Sequence, residues 1–310
     1  MQGENAEQQF DSREGFELVS SGGYFNSLTN DPLKVFIDLF AEAKRSLGFE
    51  NEKDHPEVAP SQFELNYKYT DILLAADQLQ LYKLVARQAA ALMGYTASFL
   101  PKPIAGINGS GMHTNISLSK NGKNIFYSKD GEDGLSDEAI DFVDRILNTA
   151  NDLCLVMNPS VNAYRRMDPN YEAPNQIKSS AIDRTSMVRI PLANEKSARI
   201  EVRTVAPDVN PYLAFYSIVK AGLEGAQSEA VDESKRTRTK VLPGNIYDAI
   251  RLFKSSDFMN NILSADVKDK YTKLKKAAAD RSPRDLGEKV KTQEVVFHHE
   301  VTNQYLWAQF

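Results

Sequence analysis

The spacing of apolar and polar positions divides the chain into alternating helical and strand-like stretches. Asn30-Asp31-Pro32 opens a predicted helix that runs to about Leu47. Val35, Phe36, Leu39, Phe40 and Ala43 form its apolar face, and Gly48 ends it. Phe63, Leu65 and Tyr67 alternate with Glu64, Asn66 and Lys68, the period of a half-buried strand. Residues 71–93, rich in Ala, Leu and Gln, predict a long helix. Strands are expected over 112–118 and 123–127, turning at Lys120-Asn121-Gly122. Ser136 caps a helix running to about 156. A polar loop with three prolines follows over 158–176. Met187–Ile190 and Ala198–Thr204 read as short strands, and Asn210-Pro211 starts a helix to about Leu223. Residues 1–21 read as a loosely held lead-in, and Gly22-Gly23-Tyr24-Phe25 as a turn. Residues 228–310 are highly charged, with helical patterns at Ala249–Lys254 and Lys268–Ala279, and read as a peripheral helical part packed on the core. Paired strands with long helices between them predict an α+β fold, a mostly antiparallel curved sheet flanked by long helices.

Composition narrows the function classes. The 310 residues are 42% hydrophobic and 25% charged, ordinary values for a globular chain with a large core. A net charge of −5 argues against a nucleic-acid binder. No apolar run is long enough to span a membrane, and the polar N-terminus has no signal-peptide core. The one cysteine, Cys154, cannot form an internal disulfide, so a reducing compartment such as the cytoplasm is expected. Its apolar neighbours make it a buried thiol rather than a nucleophile.

The candidate chemistry begins at Lys102–Leu118. Gly106, Gly109 and Gly111 permit unusual backbone angles or a close ligand approach, and His113 sits where that loop meets a strand. The position can present an imidazole to an ion or a phosphate; a hydrogen-bonded hairpin histidine fits the same pattern. Glu57 and Glu64 lie on or beside one strand; Glu64, alternating with apolar neighbours, and Glu201, between Ile200 and Val202, point away from the apolar side. Carboxylates and one imidazole on one sheet face suit Mg²⁺ or Mn²⁺ more than zinc, although a solvated strand face explains any one of them. Arg165, Arg166, Arg184, Arg189, Arg199 and Arg203 crowd into a short span, with Arg199 and Arg203 two residues either side of Glu201. Arginine forks suit phosphate and carboxylate; a surface ion-pair ladder is the alternative. Glu172, in the loop Asn170-Tyr171-Glu172-Ala173-Pro174, can serve as a base or a flap, or simply belong to a tight turn. Together these groups are the equipment of phosphoryl transfer, without a Walker loop or a kinase glycine loop.

Ordered motifs carry a resemblance beyond this. They are Gly22–Phe25, Glu57-Val-Ala-Pro-Ser-Gln-Phe-Glu64, Lys102–His113 with Asn108-Gly-Ser-Gly-Met-His113, Asn162–Pro174, Arg184 to Pro191, and Arg199-Ile-Glu-Val-Arg203 followed by Asn210–Leu213. Over 22–310 the chain resembles the catalytic domain of glutamine synthetases of the class I bacterial and archaeal type. The resemblance implies synthesis of glutamine from glutamate, ammonia and ATP through γ-glutamyl phosphate, with Mg²⁺ or Mn²⁺. It implies Glu57 and Glu64 as ligands of the metal that positions glutamate, and His113 and Glu201 as ligands of the metal on the ATP phosphates. It implies Asn108, Gly109 and Arg166 as substrate-binding, Ser117, Arg189, Lys196 and Arg199 as nucleotide-binding, and Arg184, Arg203 and the flap Glu172 as catalytic. Tyr247 falls where some relatives carry an adenylylated tyrosine, and an ordinary exposed tyrosine is the plainer reading. The family's N-terminal β-grasp domain and its Glu-x-Glu strand have no counterpart in the motifs found. Pro56 stands where many relatives have a second histidine, and Ser61 where a glycine is usual. A homo-oligomer is implied, or a partner supplying the β-grasp domain. Two alternatives stay open: a γ-glutamyl ligase for a polyamine or other amine, and a non-catalytic truncated or split subunit.

Overall fold

The computed structural model describes residues 19–20, 23–24, 29–104, 107–167, 174–228 and 239–280. They fall into two compact units, one running to Ser110 and one from Gly111 onward.

The first unit holds α1 (Leu33–Ser46), β1 (Asn51–Pro56), β2 (Phe63–Tyr67) and α2 (Ile72–Leu92). β1 and β2 form an antiparallel hairpin with His55 opposite Glu64 and Pro56 opposite Phe63. The Asp71 carboxylate accepts from the Leu74 amide and caps α2, as the polar residue before the apolar run requires. Ile37, Phe40, Leu65, Ala86 and Ala89 make this unit's core. The apolar face expected of α1 is displaced: Val35 and Leu39 are exposed, and Leu33, Ile37, Phe40 and Lys44 are buried. Lys44 turns inward because aromatic rings receive its ammonium. Its Nζ lies 5.2 Å from the Phe40 ring, 5.7 Å from Tyr67 and 5.2 Å from Tyr82.

The second unit contains β3 (Thr114–Ile116), β4 (Ser119–Lys120), β5 (Lys123–Asn124), α3 (Asp137–Asn148), α4 (Ala150–Met157), α5 (Val161–Arg166), β6 (Gln176–Ser180), β7 (Ser186–Arg189), β8 (Ile200–Val202), α6 (Pro211–Glu224), α7 (Ile246–Ser255), α8 (Asp257–Leu263) and α9 (Ala265–Ala279). Four strands form one sheet in the order β3-β8-β7-β6. Its β3–β8 and β7–β8 pairs are antiparallel and its β6–β7 pair is parallel, so the mixed helix-and-sheet class holds while the sheet is small and only partly antiparallel. The hairpin expected over 112–127 shrinks to the two-residue strands β4 and β5, with Asn121 and Gly122 at positive φ in the turn. Met187, Val188, Ile200, Val202 and Val205 pack with Phe142, Leu153, Val156, Ile218 and Phe253 into the main core.

The helix expected to run unbroken to 156 is two. Its cap is as expected, with Ser136 Oγ accepting from the Ala139 amide. The break comes at Thr149, whose hydroxyl donates to the Arg145 carbonyl at 2.7 Å. Gly222 lets α6 approach α3: a Cβ there would lie 2.3 Å from the Phe142 ring. Ile246, Ala249, Phe253 and Met259 bring the charged C-terminal helices α7 and α8 into the core. Cys154 is buried, and burial pushes its thiol up to about 12. Among the described residues no helix is long and apolar enough to cross a membrane.

Candidate functional site

The expected groups divide between the two units. Glu57, Glu64, Asn108 and Gly109 belong to the first; His113, Ser117, Arg166, Arg184, Arg189, Lys196, Arg199, Glu201 and Arg203 belong to the second. Glu172 lies outside the described residues. The single sheet face expected to carry all the carboxylates is therefore two separate sheets.

In the first unit the β1–β2 hairpin makes a small donor cluster. The antiparallel register sets His55 across from Glu64, and the tight connection after Pro56 brings Glu57 back beside them. That connection closes with the Glu57 amide donating to the Gln62 carbonyl at 2.8 Å. Ser61 takes φ +55° there, the left-handed region that glycine adopts without strain. Its hydroxyl offsets the strain by accepting from the Ser20 amide at 2.9 Å and donating to the Ser20 carbonyl at 3.1 Å. His55 Nδ1 lies 3.8 Å from Glu57 Oε1 and His55 Nε2 lies 3.7 Å from Glu64 Oε2. Ligand atoms of His55, Glu57 and Glu64 all lie within 4.8 Å of one another, the one such group of three among the described residues. Burial raises the Glu57 carboxyl above its ordinary range, and the neighbouring Glu64 adds to this against a hydrogen bond from Tyr24. Two carboxylates and an imidazole converging this closely fit a divalent cation. Gln62 Nε2 donates to the Gly109 carbonyl at 2.9 Å and to Ser110 Oγ at 3.0 Å, tying the Asn108-Gly109 loop to the same hairpin turn. The Lys102 ammonium, buried, donates to the Ile107 carbonyl and closes that loop from behind.

In the second unit Glu201 is the centre. It stands mid-strand on β8, with Asn115 of β3 on one side and Arg189 of β7 on the other. His113 and Ser117 flank β3 two residues from Asn115, and Arg199 and Arg203 flank β8 two residues from Glu201. Residues two apart in an extended strand share a face, so these four side chains are expected on the side that carries Asn115 and Glu201. The contacts agree. Glu201 Oε1 is 3.0 Å from His113 Nδ1 and 3.6 Å from Arg203 Nε, Oε2 accepts from Arg189 Nη1 at 3.0 Å, and Arg199 Nε donates to Asn115 Oδ1 at 2.9 Å. Arg203 Nη1 also donates to the Arg184 carbonyl.

Glu201 was expected on a polar strand face, and it is buried there at 6% exposure, because the arginines and His113 close over it. Burial alone would raise its carboxyl; the His113 hydrogen bond and the charges of His113, Arg189 and Arg203 outweigh that and hold it below the ordinary range. For His113 the desolvation is larger than the attraction of Glu201, and its imidazole is lowered. Arg166 lies beneath this face. Its Nη2 donates to the Arg203 carbonyl at 2.9 Å and its Nη1 reaches the Thr204 and Val205 carbonyls at 3.3 and 3.4 Å. Burial and the nearby Arg203 lower it to about 10. Gly111 makes room for it: a Cβ would sit 2.4 Å from Arg166 Nη2 and 3.0 Å from His113 Nε2. Ser117, Arg184 and Lys196 are exposed. One carboxylate among Arg189, Arg199 and Arg203 leaves this face net positive, the electrostatics of an anion site.

His55 was missed as a candidate donor. The signal was its place opposite Glu64, readable only once Asn51–Pro56 is recognised as a strand. Tyr247 is partly exposed, and its hydroxyl donates to the Ala279 carbonyl at 3.0 Å.

The chain is similar to known proteins. Residues 2–293 match the family model described as glutamine synthetase, catalytic domain. The glutamine synthetase of Methanosarcina mazei is 38% identical over 270 residues, which cover 82% of this chain and 60% of that protein. Among solved structures, Plasmodium falciparum glutamine synthetase superposes with a TM-score of 0.77 at 25% identity, covering 84% of this chain and 61% of that one. A complex of GmaS with ADP superposes with a TM-score of 0.73 at 30% identity, covering 86% and 66%. The chain thus spans about 60% of the length of the curated relative it matches. On the family match over nearly its whole length, the chain belongs to the glutamine synthetase catalytic-domain family.

Proposed function

We propose that the chain, with 22–310 as its catalytic domain, serves an ATP-dependent ligase that joins the γ-carboxyl of glutamate to ammonia through γ-glutamyl phosphate. The observation that carries this reading is the sheet face around Glu201, where His113, Arg189 and Arg203 converge on one buried carboxylate within a glutamine synthetase catalytic domain. Three roles follow from chemistry and position. Asn108 and Gly109, on a loop pinned by Gln62 and Lys102, bind the amino-acid end of glutamate. Arg166, held by three backbone carbonyls, and Arg184 direct positive charge at glutamate and at the transferring phosphoryl group. Arg189, Arg199 and Arg203, with Ser117 and Lys196, receive the nucleotide phosphates, and Glu172 takes the proton from ammonium as the amine attacks.

Glu57 and Glu64 would hold one divalent metal, Mg²⁺ or Mn²⁺. His113 and Glu201, whose Nδ1 and Oε1 meet at 3.0 Å, would hold another. Bound metal supplies charge neutralisation for the phosphates and for the carboxylate being activated. A soluble, reducing location and a homo-oligomer, or assembly with a chain bearing a β-grasp domain, complete the reading.

The test is glutamate-dependent release of ADP from Mg²⁺-ATP, run with ammonia, methylamine and putrescine in parallel. Turnover with ammonia and its loss in Arg203→Gln are expected. Turnover with putrescine and none with ammonia would assign the chain to another amine. Mg²⁺-ATP binding that yields product only after a β-grasp-bearing chain is added would mark a split enzyme. No nucleotide binding under any of these conditions would overturn the proposal.

A further inference from the structure

The hairpin of the first unit has one feature that the two-carboxylate reading does not use. His55 stands in strand register with Glu64 and close to Glu57, and the described ion pairs of both carboxylates are with His55 alone. The nitrogen–oxygen separations of 3.7 and 3.8 Å are too long for hydrogen bonds, so the imidazole does not simply bridge the two acids. The 3.7 Å from Nε2 to Glu64 Oε2 is instead the kind of separation donors keep around one cation, about 3 Å for neighbours and about 4 Å for opposed ligands in an octahedron, and Glu57 offers its oxygen within the same 4.8 Å group. The imidazole is also oriented. Its Nδ1 lies 3.1 Å from the Pro56 carbonyl, a partner that can only accept, so Nδ1 carries the proton. That leaves the Nε2 lone pair on the side of Glu64. A histidine whose far nitrogen donates to a backbone carbonyl is the usual arrangement of a metal-bound imidazole. The carboxylates are braced in turn, Glu64 Oε1 accepting from Asn66 Nδ2 at 2.9 Å, which leaves Oε2 toward His55.

From this geometry we infer that His55 is a third protein ligand, through Nε2, of the divalent cation held by Glu57 and Glu64. The inference rests on the metal reading of those two carboxylates. A nitrogen donor in place of an oxygen shifts the site's preference from Mg²⁺ toward Mn²⁺ and other first-row ions, because hard Mg²⁺ favours oxygen and transition ions accept imidazole.

The test is electron spin-echo envelope modulation of Mn²⁺ bound to the full chain, which detects a directly coordinated nitrogen. The background is His113→Gln, which removes the other candidate imidazole. Mn²⁺ should bind this variant and show ¹⁴N modulation, replaced by the ¹⁵N pattern when the histidines are ¹⁵N-labelled, a step that leaves His55 unaltered. Adding His55→Gln should abolish the nitrogen signal and weaken Mn²⁺ affinity about tenfold or more, since loss of even an outer partner of a metal ligand costs about that much. Mg²⁺ affinity should fall less. Mn²⁺ bound without nitrogen coupling in His113→Gln, and lost in Glu57→Gln/Glu64→Gln, would overturn the inference and leave the two-carboxylate site standing. Nitrogen coupling that survives His55→Gln would overturn it as well. Absence of Mn²⁺ binding in the His113→Gln background would overturn both.

Discussion

Replacing Glu201 by glutamine is expected to cost the fold heavily, because the carboxylate neutralises buried positive charge. Its two oxygens meet His113 and Arg189 at 3.0 Å and Arg203 at 3.6 Å. The partners are not equivalent. Arg189 keeps 48% of its side chain exposed, so water screens it and its pair contributes little. Arg203 keeps 10%, and loses its near counter-charge in the variant. Removing one partner of a buried ion pair costs about 3–5 kcal/mol, and the screened Arg189 argues for the lower end, about 3 kcal/mol. For a unit of this size that is a fall in Tm of roughly 6–12 °C. Urea and thermal unfolding followed by far-UV circular dichroism in EDTA would measure it without a contribution from bound metal. Arg189→Gln should cost less than about 1 kcal/mol in the same assay, and Glu201→Gln combined with Arg203→Gln should be less destabilising than the sum of the two singles. A loss below about 1 kcal/mol for Glu201→Gln, or full additivity with Arg203→Gln, would show that solvent reaches the cluster and would refute the argument.

Other consequences can be measured on the same protein. Burial lowers the Lys44 ammonium to about 8 against the attraction of Asp54. Between about pH 8 and 10.5 the unfolded chain therefore binds a proton at this site that the folded chain has released, and stability rises with pH across that window. The wild type should gain about 2 kcal/mol relative to Lys44→Met from pH 7.5 to 10 in urea melts, and parallel pH profiles would sink the idea. Gly111→Ala pushes into the Arg166 guanidinium and should cost about 2 kcal/mol by loss of its bond to the Arg203 carbonyl; an unchanged Tm would mean Arg166 has room to move. Cys154 should resist an aromatic disulfide reagent in the native state and react fully in urea, and fast native labelling would contradict its burial.

What could be read from the sequence follows from which physical signal each element carries. Strand alternation placed β2 and β8, and with them the directions of Glu64 and Glu201, because an apolar residue every second position leaves little choice of face. The same logic cannot tell a solvated polar face from one closed by long side chains, so the burial of Glu201 appeared only with Arg189 and Arg203 in place. β6 was missed because Gln176-Ile-Lys-Ser-Ser180 is half-buried throughout and sits at the sheet edge, where nothing demands alternation. β1 was missed for a related reason. Asn51-Glu-Lys-Asp-His-Pro56 is almost wholly polar and ends in proline, and it is a strand only because β2 supplies the partner. With β1 went His55, since a histidine's relation to a carboxylate nine residues away depends on the hairpin register alone. Ser61 shows the opposite case. A residue that stood out only as a departure from glycine proves to hold the same positive φ, with two hydrogen bonds to Ser20 doing for serine what the missing Cβ does for glycine. The turn that carries Glu57 is thus tied to Ser20 through the Ser61 side chain, and the donor cluster built on that turn depends on Ser20 as well as on its own three residues.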